Sequence, residues 1–404
     1  MSEKFSNQPT TIDYAKWRDD PQILVKLGGI VEDYIYADGL WEPMIGRAND
    51  RIIRTFSANN KSPVETLIIL PSVGKGVRGN ADVDTNFDHI EISAQTIYPD
   101  LVGNGFKSEV KKYEAANEVD FLKTATTQCK TFLKHKVDRA IFATLANDPT
   151  NVVLPDSAGS FKDLTAFADV KSAANTMTKA DVLNVKTLRR AILMANVGMK
   201  YNAADLSKPS IMPFIQPRLT KTNVGGFNIT MNSYVICLST FAIEQLKRDP
   251  EWQDMQKHAG VRGDKNNLFT GLIGWIDNCP VVDMGSWSTF NAGMIHTAVS
   301  DDEYLESINE LNYSTITKPS EFKGADCDLD FGFLLGANAI FGAGSDSTTI
   351  YVDDNADHGR KTVVSCDKLL TFAKAKIRKI NTPALAQYAG NDLGVITIFS
   401  PHNI

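Results

Sequence analysis

No two cysteines in this chain stand close enough to form a CxxC site. Cys129, Cys237, Cys279, Cys327 and Cys366 are far apart and odd in number. That excludes a local metal knuckle or redox motif and predicts reduced thiols in a cytosolic protein. Long apolar runs are also missing, so no membrane span is expected. The first residues, MSEKFSNQPTTIDYAKW, lack the apolar centre of a secretion signal. The expectation is therefore synthesis and folding in a cytoplasm, with no membrane partner. There is no internal repeat and no low-complexity tract. The six histidines form no HxxxH or HxH pair. No serine or cysteine sits in a G-x-S-x-G elbow or a comparable nucleophile context.

What is present is ordinary in bulk. Across 404 residues, 43% are apolar and 22% charged, enough to bury a sizeable core. The length is consistent with about two or three domains, or with one large discontinuous subunit. The formal net charge of −6 argues against strong non-specific DNA binding.

Along the chain, the first 60 or so residues carry Tyr14, Trp17, Tyr34, Tyr36 and Trp41 among many charges. A helix over 21–40 is weakened by Gly28, Gly29 and Gly39. The segment reads as an arm that needs another surface to pack on. Residues 64–70 (VETLIIL) carry a strand signal. Residues 89–98 alternate, with Ile90, Ile92, Ala94 and Tyr98 on one face and Glu91, Ser93 and Gln95 on the other. The glycine- and charge-rich loop between these two strands predicts a long projecting hairpin.

The strongest helical signal spans 118–147, free of Pro and Gly. Val119, Leu122, Thr126, Cys129, Leu133, Val137, Ala140 and Leu145 form one stripe. Such a helix would be about 45 Å long, with Asn147-Asp148-Pro149 as its stop. A second helix is expected over 179–200, with Thr178 as N-cap and Asp181 three residues on. Its stripe is Leu188, Ala191, Ile192, Ala195 and Met199. Residues 233–239 read as a buried strand leading into the helix TFAIEQLKRD. Residues 280–284 begin a strand after a turn at Asp277-Asn278, and 333–343 form an apolar run. The C-terminal 55 residues read as sheet. Ala373, Ala375 and Ile377 alternate there with Lys374, Lys376 and Arg378, which predicts one basic face. LGVITIF, at 393–399, reads as an inner strand. Without a regular βαβ alternation, the fold class is α+β and not a doubly wound sheet.

Three motifs invite a chemical reading, and each has a plainer one. Gly74, Gly76 and Gly79 spell G-x-G-x-x-G, but a dinucleotide site needs a helix after the glycines. Here a second strand follows, so glycines at a hairpin tip explain the same letters. No Ser or Thr follows Gly74-Lys75, so this is not a P-loop. Asp82, Asp84, Asn86 and Asp88 begin like a calcium loop, but Phe87 stands where glycine is required and Ser93 where the bidentate glutamate should be. Asp353, Asp354, Asp357 and His358 could build a metal or acid/base site; a solvated turn between strands accounts for them better. No catalytic, cofactor-binding or metal residue is expected, and no cofactor.

The order arm, long hairpin, very long helix, mixed middle and C-terminal strands resembles the Hong Kong 97 capsid fold of tailed phages. More specifically, it resembles the major capsid proteins of enquatrovirus-like podoviruses. Three stretches carry the likeness. They are GNADVDTNFDHIEIS through FKSEVKKYEAANEVDFLKTA, SYVICLSTFAIEQLKRDPEWQDMQKHAG with NNLFTGLIGWIDNCPVVD, and FLLGANAIFGAG with DHGRKTVVSCDKLLTFAKAKI. The departures lie in the arm and in residues 285–330, which match nothing in that pattern.

The resemblance implies an N-terminal arm (1–62), an extended loop hairpin (63–112) and a peripheral domain with a spine helix (113–186). An axial domain (187–345) and a return to the peripheral domain (346–404) would follow. It implies a non-enzymatic coat subunit that assembles with itself into hexamers and pentamers of an icosahedral virion shell, formed in the host cytoplasm. A portal protein would be a partner, with scaffolding and decoration proteins as further candidates. Packaged double-stranded DNA would lie on the inner face without sequence specificity, and a mildly acidic wall would not grip its phosphates. Lys75, Arg78, Asp82 and Asp84 at the hairpin tip are the candidate intersubunit contacts. Two other classes stay open: an encapsulin-type shell or other virion component, and a nucleotide-binding enzyme.

Overall fold

The computed structural model describes residues 41–58, 62–70, 72, 74, 76–80, 82–85, 87, 90–108, 121–162, 164, 170–198, 215–224, 227–259, 272–285, 323–345, 348–377 and 380–401. The expected arm up to residue 40, the helix over 21–40, Lys75, Met199, Arg378 and, of 285–330, residues 286–322 lie outside the described residues.

In chain order the first strands are β1 (Ile45–Gly46), β2 (Ile53–Ser57), β3 (Val64–Ile69), β4 (Ile92–Ile97) and β5 (Asp100–Lys107). Helix α1 (Phe121–Ala146) follows, then β6 (Val152–Val153), β7 (Pro155–Asp156) and β8 (Ser160–Phe161). Next come α2 (Val170–Ala174), α3 (Val185–Val197), β9 (Arg218–Val224), β10 (Phe227–Ser233) and β11 (Val235–Leu238). Helices α4 (Thr240–Arg248) and α5 (Pro250–Ala259) precede β12 (Leu272–Ile276) and β13 (Cys279–Asp283). The chain closes with β14 (Leu329–Leu335), β15 (Ile340–Gly344), β16 (Thr349–Asn355), β17 (Lys361–Lys374) and β18 (Val395–Pro401). The mixture of helix and sheet matches the α+β expectation.

The chain divides into two compact units. One comprises 1–38, 101–135 and 346–368; the other comprises 39–100, 136–345 and 369–404. In the first unit, the leading part of β17 pairs antiparallel with β16, from Thr349 opposite Asp367 to Asp353 opposite Val363, and β5 also pairs with β17. The first half of α1 lays Ala125, Cys129 and Leu133 on Val364 and Cys366, with Val102, Phe106 and Ile350 around them. Of the acidic cluster read between strands, Asp353 and Asp354 lie within β16, whereas Asp357 and His358, with Gly359, make a turn in which all three have positive φ. Among the described residues no group of three potential ligands could hold a metal.

The second unit is built on a six-stranded sheet in the order β12-β13-β11-β14-β18-β6. β14 and β18 pair over their full length, from Leu329 opposite Pro401 to Leu335 opposite Val395, and every residue of β18 is buried, as an inner strand requires. Leu188, Ala191, Ile192 and Ala195 of α3, with Ala242, Ile243 and Leu246 of α4 and Trp252 of α5, pack against Ile236, Leu334, Ile396 and Ile398. Side chains alternate along β14, so Phe331 and Phe333 belong to the other face. There Phe142 of α1 meets them edge-on, and Phe399 lies 5.1 Å from Phe331. α1 ends before Asp148, whose φ of 43° closes the helix in the left-handed region. Among the described residues no helix is long and apolar enough to cross a membrane.

Two expectations are corrected. α3 begins at Val185 and not near 179. Its N-cap is Asn184, whose side chain accepts from the Thr187 amide, and Gly198 closes it in the left-handed region. Thr178 is not a cap; its amide donates to Asp181 at 2.7 Å. Burial opposes ionisation of Asp181, but Lys162 and the amides of Thr178 and Ser157 outweigh it and hold the carboxyl below its usual range. The second correction concerns the lysines of the C-terminal sheet. Lys374 and Lys376 do share a side of the strand, but both are buried, so they present no basic surface.

Candidate assembly surface

β3 and β4 form an antiparallel hairpin with Thr66 opposite Gln95, Leu67 opposite Ala94, Ile68 opposite Ser93 and Ile69 opposite Ile92. A half-exposed strand ordinarily buries its apolar face and wets its polar one. β4 does the reverse. Glu91, Ser93 and Gln95 are buried, whereas Ile90, Ile92 and Ala94 are exposed.

The polar face is buried because every important group on it finds a partner. Gln95 donates through Nε2 to the Lys374 carbonyl at 2.9 Å and accepts at Oε1 from the Lys376 amide at 3.1 Å. Its own carbonyl accepts from the Thr66 hydroxyl. The Glu91 carboxylate accepts from the Asn381 amide at 2.8 Å and from both the amide and hydroxyl of Thr382. These bonds stitch the hairpin to the chain after β17, where Ile68, Leu70 and Ile97 join a core with Phe341, Ala343, Ala373, Ala375, Ile377 and Leu385.

Beneath the same segment lies a buried ion cluster. Lys374 Nζ is 3.2 Å from Asp392 Oδ2, both side chains being fully buried, and Lys376 pairs with Asp148 and lies 3.7 Å from Asp392 Oδ1. Burial, reinforced by the charge of Lys376, pulls the Lys374 ammonium down to about 8 against the opposing attraction of Asp392. Two lysines and two aspartates neutralise one another, which is what allows charged groups to be buried at all.

The outward face is left apolar. Leu67 is 63% exposed, Ile69 70%, Ile92 49%, Phe87 74% and Ile90 79%. Five large exposed apolar side chains on one hairpin are of the kind that marks an interaction surface. Of the tip residues named from the sequence, Arg78, Asp82 and Asp84 are exposed. The structure brings Asp82 and Asp84 together, the Asp84 amide donating to the Asp82 carboxylate at 2.9 Å. Gly76 and Gly79 take φ of 65° and 69°, and a side chain at either would meet nothing. The glycines therefore serve the backbone of the tip, and among the described residues only the short turn Val83–Thr85 follows them, not a helix.

Sequence reasoning missed the apolar outer face and the Lys374–Asp392 cluster. The first was readable as a five-residue apolar inventory, Leu67, Ile69, Phe87, Ile90 and Ile92. Which side it would face was not. The second joins residues far apart in sequence and had no local signal.

Comparison with known proteins identifies the family. The profile of a family described as phage capsid protein matches residues 36–403. The chain belongs to the phage capsid protein family. A curated relative, the major structural protein ORF14 of Helicobacter pylori bacteriophage KHP30, is 31% identical over 99% of both chains. The acid-stable capsid structure of that phage superposes with a TM-score of 0.75 at 31% identity, covering 98% of this chain and 100% of the other. The head structure of Helicobacter pylori bacteriophage KHP40 gives 0.73 at 32% identity, covering 92% and 93%. The capsid of cyanophage Pam1 shares the fold alone, at 14% identity and a TM-score of 0.64. This capsid protein is thus a structural component of a bacteriophage virion, with the mixed α/β fold of phage coats.

Proposed function

We propose that this chain is the major coat subunit of an icosahedral phage head of the Hong Kong 97 type, assembling into hexamers and pentamers around double-stranded DNA. The division proposed is an arm over 1–62, an extended loop over 63–112, a peripheral domain over 113–186, an axial domain over 187–345 and a return over 346–404. The likeness to enquatrovirus-like coat proteins belongs to the same proposal. The observation that carries it is the hairpin's apolar outer face. A strand pair whose inner side is locked into its own chain and whose outer side exposes Leu67, Ile69 and Ile92 has its partner elsewhere. In a closed shell of identical copies, each subunit supplies that partner to another. Obligate interfaces of this kind bury on the order of 2,000–5,000 Å².

Lys75, Arg78, Asp82 and Asp84 are proposed as contacts around this apolar strip, setting register through charge. A portal, a scaffold, decoration proteins and packaged DNA complete the set of proposed partners, with assembly in the host cytoplasm. No catalytic role is proposed.

Shortening residues 74–86 to a two-residue turn tests the reading. The expected result is a folded subunit, with near-native circular dichroism, that fails to close shells in electron micrographs or makes shells that fall apart. Particles of normal size and heat stability would overturn the intersubunit role of the hairpin.

A further inference from the structure

The five cysteines are far apart in sequence, yet the fold brings two of them side by side in the core of the smaller unit. Cys129 comes from the first half of α1 and Cys366 from β17. Both are buried, and both belong to one small cluster with Ala125, Leu133 and Val364. The Cys366 thiol donates to the Cys129 carbonyl at 3.7 Å. The Cys129 thiol is pushed up to about 12, first by burial and then by the hydrogen-bonded thiol of Cys366 beside it. The Cys366 sulfur thus sits against the backbone of Cys129, within one small core cluster. β5 closes over the spot, because a side chain at Gly103 would come within 2.7 Å of the Cys366 carbonyl. Of the other three, Cys279 donates to the Asp277 carbonyl, Cys327 donates to that of Met177, and Cys237 is fully buried in β11.

We propose that Cys129 and Cys366 are an oxidisable pair that closes to a disulfide in an oxidising medium, stapling α1 to β17. The oxidant is a small-molecule disulfide. One protein thiolate attacks it, forming a mixed disulfide and releasing one small thiol. The second protein thiolate then attacks the protein sulfur and releases the other. Two electrons and two protons leave the protein pair, and the small disulfide is reduced to two thiols. The thiolate is the attacking form. A Cys129 thiol held so far above neutrality is nearly all protonated, so it attacks an oxidant slowly. Closure is then slow. Where the oxidant is met rests on the virion reading; the chemistry of the pair does not.

The test uses the full-length protein, as free subunit and as particles, incubated with oxidised glutathione at pH 7, 8 and 9. Free thiols are then blocked in denaturant, before and after reduction, and the peptides are mapped. The expected result is loss of two of the five thiols and a reducible peptide linking positions 129 and 366. The rate should rise about tenfold per pH unit, since the thiolate fraction does so below the pKa. The oxidised form should melt several degrees above the reduced form, a gap absent from the Cys129→Ala, Cys366→Ala double variant. Should that variant fail to fold, the peptide map of the wild type decides alone. Five free thiols after prolonged oxidation at pH 9, or a linkage between other cysteines, would overturn the proposal. So would a 129–366 disulfide with no effect on melting. Because the free subunit is also mapped, a failure to assemble leaves the thiol result intact.

Discussion

The two faces of β4 make opposite predictions for substitutions one to three residues apart. Gln95→Ala acts inward. It strips the Lys374 carbonyl and the Lys376 amide of their partner, in a place water does not reach. An unmet buried group costs about 1–3 kcal/mol, so the pair should cost about 2–6 kcal/mol. Out of a total stability of roughly 5–15 kcal/mol that is a large share. At about 2–4 °C per kcal/mol, the melting temperature of the unassembled subunit should fall by several degrees or more. Ile69→Ser with Ile92→Ser acts outward. These side chains are opposite each other and exposed, so their loss should change subunit stability by no more than about 0.5 kcal/mol each. In an assembled interface they lose their cover. Fully burying such a side chain contributes about 1.5–3 kcal/mol, and roughly half to two-thirds of that remains to be gained here. The cost of the double variant is then about 2–4 kcal/mol per subunit, repeated at every copy. Thermal melts by circular dichroism on the subunit, and sedimentation with electron microscopy on the particles, separate the two effects. If the double serine variant assembles normally, or if Gln95→Ala melts like the wild type, the assignment of faces is wrong.

Three further outcomes are expected. Ala140→Pro, in the buried half of α1, removes a backbone donor and clashes one turn back, costing about 3 kcal/mol or more; insoluble protein or aberrant particles should result, and normal shells would refute a continuous helix through this position. Lys374, held at about 8 against an ordinary 10.5, gives stability a pH dependence. Below pH 8 both folded and unfolded chains keep the proton; between 8 and 10.5 only the unfolded chain does, so folding is favoured as pH rises, by up to about 1.4 kcal/mol per unit. The double variant Lys374→Met, Asp392→Leu should lose that part of the slope in pH-dependent melts, and an unchanged slope would refute the buried cation. Calorimetry with NAD or ATP should give no saturable heat; a micromolar affinity abolished by Gly76→Ala would revive a nucleotide site at the glycine loop.

Much of the framework was legible because it rests on local pattern. The run of apolar residues at 393–399 can only be an inner strand, and β18 is buried throughout. Asp277-Asn278 reads as a turn, and both residues adopt positive φ between β12 and β13. The stripe Leu188, Ala191, Ile192 and Ala195 gave the helix. It did not give the start, because Asn184 caps through Thr187 and Thr178 is held instead by Asp181. Lys374 and Lys376 show the limit most clearly. Alternation put them on one side of a strand. Only the fold brings Asp392 and Asp148 to that side, and those partners turn a surface pattern into a buried one.

The same limit explains β4, and it has a physical consequence for assembly. A polar face can be the inner face only if its groups are met one by one, which Glu91 and Gln95 achieve through fixed backbone donors and acceptors. Such bonds are directional, whereas apolar contact is not. Fastening the hairpin by its polar side therefore fixes its orientation before any neighbour arrives. The non-directional apolar side is left free to meet another copy. Exposed hairpins of this kind risk indiscriminate pairing. On the proposed assembly, the charged, glycine-rich tip with Arg78, Asp82 and Asp84 would limit it, since like charges meeting at a wrong register repel. On the proposed assembly the hairpin's two faces would divide the labour: hydrogen bonds set where the apolar strip points, and burial of that strip between copies would supply the drive to close the shell.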